Sequence, residues 1–144
     1  MAKRSERLKT VLKLAQLRQQ QAAERLGEMT RNAQAQELQA DQLKHYQLDY
    51  REHFKALGDN GASPSQLRNF QGFYRNLEQA IDTQGERALL ARDQREVARQ
   101  QWQRQYAREK NLQKLVERRI LEEELQLDKK LQREQDDRPR RKPL

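Results

Sequence analysis

Residues 58–65 read Gly58-Asp59-Asn60-Gly61-Ala62-Ser63-Pro64-Ser65, and this stretch holds two of the chain's five glycines and one of its three prolines. Ser63-Pro64-Ser65-Gln66 is a helix start. The serine serves as N-cap, the proline stands at the first helical position where its missing N–H costs nothing, and the glutamine three residues on closes a capping box. No other convincing breaker stands before this turn, or after it until Pro139. The reading is an all-α chain: an antiparallel two-helix coiled-coil hairpin with a longer second helix. It forms a single domain, with helix 1 over residues 3–57, a turn at 58–63, helix 2 over 64–136 and a basic tail at 137–144.

Composition agrees with a thin seam. With 34% apolar and 36% charged residues in 144, the chain can bury a strip between helices but not a thick core. No stretch approaches the ~18 consecutive apolar residues of a membrane span. Met1–Glu6 leads into an amphipathic pattern without a continuous apolar run, so no secretory signal is expected. The absence of cysteine gives no disulfide framework and no thiol chemistry, which suits a reducing cytosol.

In helix 1, steps of four and three from Leu8 land on Leu12, Ala15, Gln19, Ala22, Leu26 and so on to Tyr50, Phe54 and Leu57, with apolar residues at twelve of fifteen positions. Such a sustained heptad specifies a left-handed coiled coil, with a weak middle where alanine and glutamine replace leucine. In helix 2 the complementary series runs from Leu67 through Phe70, Tyr74 and Leu77 to Leu112 and Val116, apolar at eleven of fifteen positions. Beyond Leu112 the apolar residues come as Val116 and Ile120, two successive steps of four, which is a stutter. If Leu57 faces Leu67, paired positions add to 124 and Leu8 meets Val116. Helix 2 is then expected to lack a partner from about Glu117 onward, in a segment that still carries Ile120, Leu121, Leu125, Leu127 and Leu131.

The net charge of +8 is concentrated at the two termini. Lys3, Arg4, Arg7, Lys9 and Lys13 stand against Glu6 alone, and Arg138, Arg140, Arg141 and Lys142 against no acid, while the remainder of the chain is balanced. That end is expected to attract an acidic partner. The neutral body, without a zinc spacing, a basic-zipper region or an RNP motif, argues against nucleic acid. His45 and His53 lack a third ligand at helical spacing, no glycine-rich phosphate loop is present, and the carboxylates have basic neighbours three or four residues away. No metal, no cofactor, no small-molecule substrate and no catalysis are expected.

The informative side chains are aromatic. Gln39, Tyr46, Phe73 and Ala80 occupy g positions, and the g flanks of two antiparallel helices adjoin. With the d residues Leu43, Tyr50, Leu77 and Gln84, they give a patch of the same spacing on each helix, rich in the residue types of an interaction hot spot. Gly72, beside Phe73, is placed to admit close approach of a partner or of helix 1.

The residues Leu26-Gly27-Glu28-Met29, Tyr46, Tyr50-Arg51, Asn69-Phe70-Gln71-Gly72-Phe73 and Leu77-Glu78-Gln79-Ala80-Ile81, in this order, resemble the FliJ family of flagellar type III export proteins. The resemblance extends over essentially the whole chain. It implies a cytoplasmic, peripherally membrane-associated stalk whose open tip enters the central hole of a hexameric export ATPase. Here that tip would be Lys3, Arg4, Arg7 and Leu8 with Ile120, Leu127 and Leu131. It also implies docking to the cytoplasmic domain of the export-gate membrane protein through the positions matching Gln39, Leu43, Tyr46, Tyr50, Phe73, Leu77, Ala80 and Gln84; at Gln84 the family can carry histidine. An escort role for empty export chaperones is implied as well, but no residue pattern locates it. The alternatives are the equivalent stalk of a virulence secretion system and a generic self-associating coiled coil.

Overall fold

The computed structural model describes residues 3–137, and the basic tail residues Arg138, Arg140, Arg141 and Lys142 lie outside the described residues. It contains helix α1 (Arg4–Asp59) and helix α2 (Pro64–Asp136), 56 and 73 residues long, an all-α helical hairpin with the longer helix second. The capping box forms as the sequence predicts. The Gln66 N–H donates to Ser63 Oγ at 3.2 Å, and the Ser63 N–H donates to Gln66 Oε1 at 2.9 Å. At the other side of the turn the Asn60 N–H still bonds the Ala56 carbonyl, and Gly61 takes φ 84°, a left-handed conformation that ends α1 where glycine alone is unstrained.

The buried positions are those of the predicted seam. Of the fifteen in each helix, all are buried or half-buried except Leu57 and Leu67, which flank the turn. The described residues pack as two compact units, one of residues 23–101 and the other of residues 3–22 with 102–137.

In the turn-bearing unit (23–101), the interior consists of Ala33, Leu77, Gln84, Ala91 and Ala98, with no large side chain fully enclosed. Alanine lets the helices approach closely but removes little area from water, so this seam contributes less stability per turn than leucine would. Gln84 is 5% exposed and keeps its amide satisfied by donating to Gln36 Oε1 at 2.8 Å and to the Gln36 carbonyl at 3.0 Å. Phe54 stacks on Phe70, a pair that adds to 124 as the register predicts, and Tyr50 meets Phe73 at a tilt of 45°, one residue off that sum. One expectation fails here. A Cβ built on Gly72 meets nothing within 4 Å, so this glycine does not serve an approach of α1, and the same holds at Gly85. Both glycines carry only the entropic cost of flexibility in a helix. Gly72→Ala and Gly85→Ala are each expected to raise stability by about 0.5–1 kcal/mol, read from denaturant melts.

In the termini-bearing unit (described residues 3–22 and 102–137), the interior consists of Ser5, Ala15 and Val116. Contacts here extend past the expected end of pairing, because the long Glu123 side chain leans back along α2 and reaches Ser5. Helix 2 is therefore partnered well past Glu117, and only residues 124–136 are exposed throughout.

Candidate docking surfaces

Near the turn, the heptad carries six aromatic rings onto facing helix surfaces. Tyr46 and Tyr50 lie one helical turn apart on α1 with ring centroids 6.4 Å apart, and Tyr46 meets Phe73 of α2 edge-on at 6.3 Å. Tyr50 lies at 4.6 Å from both Phe70 and Phe73. Such offset and edge geometries favour a preorganised cluster. On the opposite flank Tyr74 is pinned through its hydroxyl, which accepts from Gln47 Nε2 at 3.2 Å and from the Arg51 guanidinium. Its face also lies under that guanidinium, 5.5 Å from the ring centre.

The eight residues matched to the gate-docking positions separate by depth. Tyr46 and Phe73 are 51% and 41% exposed, and Gln39 and Ala80 are exposed beside them. Leu43 and Tyr50 are half-buried. Leu77, 6% exposed, and Gln84 lie inside the seam, where they hold the two helices beneath the patch and present little surface of their own. The aromatic face also continues into a depression of about 720 Å³ toward the turn, lined among others by Tyr50, His53, Phe54, Leu57, Phe70 and Phe73. Sequence reasoning assigned Phe54, Leu57 and Phe70 to the seam alone. The signal available was the turn itself, since the seam has no further layer beyond Leu57 and Leu67, which are exposed, to close over the residues before them.

In the termini-bearing unit, Arg4, Arg7 and Leu8 line a depression of about 300 Å³ together with Leu115 and Arg119, which sequence reasoning missed. Lys3, Ile120 and Leu127 line another with Ser5 and Glu123. Leu131 is exposed and belongs to neither. Ser5 and Glu123 were also missed. The Glu123 carboxylate accepts from Ser5 Oγ at 2.6 Å and from the Ser5 N–H at 3.2 Å, satisfying an N–H of the first turn of α1 and placing negative charge at its positive end.

The Ser5 hydrogen bonds hold the Glu123 carboxyl below its ordinary range, assisted by the charges of Lys3 and Lys9. A carboxylate lowered by folding contributes stability that is complete above its unfolded value and is lost as pH falls through its folded one. Wild type is therefore expected to melt above Glu123→Gln at neutral pH, and the gap should close on acidification below the ordinary carboxylate range. A gap that is independent of pH would show that the charge at Glu123 is not involved.

Among the described residues, no three His, Asp or Glu side chains gather in an arrangement that could hold a metal, and no helix is long and apolar enough to cross a membrane. The aromatic patch and the basic, apolar depression at Arg4, Arg7, Leu8, Leu115 and Arg119 present surface to another molecule, while the depression at Lys3 and Leu127 is of mixed charge, with Lys9, Glu6, Glu123 and Glu124 in its lining.

The flagellar FliJ protein family model matches residues 4–142. A Flagellar FliJ protein from Salmonella typhi is 37% identical over 75 residues, a match covering 52% of this chain and 51% of that relative, about half the length of each. No solved structure matches. The order of the aromatic and leucine motifs, the all-α hairpin and a family match over nearly the full length lead to one conclusion: the chain belongs to the FliJ family of flagellar proteins.

Proposed function

We propose that this flagellar export component acts as a non-enzymatic stalk, in which each unit addresses one partner. The aromatic patch of residues 39–84 docks on the cytoplasmic domain of the export-gate membrane protein. The segment with Lys3, Arg4, Arg7, Leu8, Ile120, Leu127 and Leu131 inserts into the hexameric export ATPase. The observation that carries the reading is the exposure of Tyr46 and Phe73 in a chain that has room for both rings in no interior. Two large rings held against each other in water favour a partner that desolvates them. At the other unit, the cations around Leu8 and Leu115 favour an acidic, partly apolar partner. The match to a flagellar relative favours the flagellar apparatus over a virulence system.

Co-purification from the native cell tests the two assignments together. Tyr46→Ala/Phe73→Ala is expected to lose the gate protein and retain the ATPase, and Arg4→Glu/Arg7→Glu is expected to do the reverse. A patch variant that retains both partners would remove the docking assignment.

A further inference from the structure

The two flanks of the turn-bearing unit differ in chemistry. On the e side, α2 carries Arg75, Glu78, Asp82, Arg92, Glu96 and Arg99 along its e and b positions, and Arg92 closes across to Glu37 of α1 at 2.9 Å. On the g side, Arg87 is the only charged residue of α2 at any c or g position from Asn69 to Gln101. In a chain that is 36% charged, one charge in those ten positions sets this flank apart from the e and b positions opposite. It begins at Phe73, passes Ala80, and reaches Leu90 and Val97, which are 58% and 54% exposed. At Leu90 the flank is hollowed into a groove with Asn32 and Gln36 of α1 on one side and Arg87, Ala91 and Gln94 on the other. Beneath it the seam is closed by Ala33, Ala91 and Ala98, so the helices pack small residues inside while larger ones stand in water. A single exposed leucine is unremarkable. An uncharged lane that continues a hot-spot patch is not.

We propose that the docking face does not stop at the aromatic patch but continues along this g flank to Leu90 and Val97, where it receives an amphipathic helix of the partner. From Phe73 to Val97 the lane is about 36 Å long, room for a helix of roughly six to seven turns. The incoming helix has an uncharged, apolar seam, because any charge set against this lane is desolvated without a counter-ion. Its exception is a carboxylate at the level of Arg87, since that guanidinium makes no ion pair within 4 Å among the described residues and offers a bidentate fork. This rests on the docking reading of the patch, and the partner to be tested is the gate's cytoplasmic domain.

The experiment is a titration of the purified full chain with that domain, with melting recorded on each variant. Leu90→Ser/Val97→Ser is expected to weaken binding about tenfold or more, while Leu89→Ser, equally exposed on the charged flank, changes it by less than about twofold. Arg87→Glu is expected to weaken binding at low salt, with the loss shrinking as salt is raised. If Leu90→Ser/Val97→Ser binds as wild type while Tyr46→Ala/Phe73→Ala does not, the lane is overturned and the patch stands. If neither pair affects binding, both fall. If sedimentation instead shows a dimer that Leu90→Ser/Val97→Ser dissolves, the lane receives a second copy of this chain and the proposal is overturned.

Discussion

Replacing Leu77 by alanine is expected to destabilise the hairpin by about 2–5 kcal/mol, the usual cost of truncating a buried leucine. Leu77 is the largest side chain among the buried apolar residues; its companions are Ala33, Ala91 and Ala98 in the same unit, and Ala15 and Val116 in the other. Its neighbours along the seam, Leu43, Gln47, Tyr50, Tyr74 and Ile81, are only half-buried, so Leu77 is the one large apolar side chain of that stretch held almost wholly out of water. A chain that buries so little area starts near the lower end of the ~5–15 kcal/mol typical of domains, and one such substitution removes a large share of it. Denaturant melts followed by circular dichroism provide the measurement. A loss below about 1 kcal/mol would mean that Leu77 is dispensable to the seam, and the division of the patch into support and contact residues would lose its basis.

Much of this was legible in the residues because heptad geometry is rigid. A repeat sustained from Leu8 to Leu57 fixes which side chains turn inward, and the capping box at Ser63-Pro64-Ser65-Gln66 fixes where the chain reverses. Tyr46 and Phe73 could be placed on one flank for the same reason, and they meet at 6.3 Å. What could not be read depends on geometry the repeat does not encode. The stutter at Val116 and Ile120 was visible, but the Ser5–Glu123 contact past Glu117 depends on a long side chain leaning back along its helix, which the repeat does not encode. Leu77 and Gln84 sit at d positions of the predicted seam and are buried there, which leaves Tyr46 and Phe73 as the exposed part of the matched set. The open depression near Phe54 and Phe70 lies where the seam ends at the turn and has no further layer to cover it, an effect with no periodic signature.

The second large effect is on binding. Tyr46 and Phe73 lie outside the a and d positions and keep about half of their surfaces in water, so truncating both leaves the seam beneath them intact. Tyr46→Ala/Phe73→Ala is expected to remain helical and to lose far less stability than Leu77→Ala. Its affinity for the gate's cytoplasmic domain is expected to fall by at least one hot-spot increment, about 2 kcal/mol or roughly thirtyfold. Rings already packed against Tyr50 and against each other bring little ordering cost to the interface, which is why truncation shows in affinity.

The most direct test measures the gate-domain dissociation constant and the melting curve of Tyr46→Ala/Phe73→Ala on one preparation, beside wild type. The account predicts a folded variant with a near-native melt and an affinity reduced at least about thirtyfold. A folded variant that binds the gate domain as tightly as wild type would contradict it.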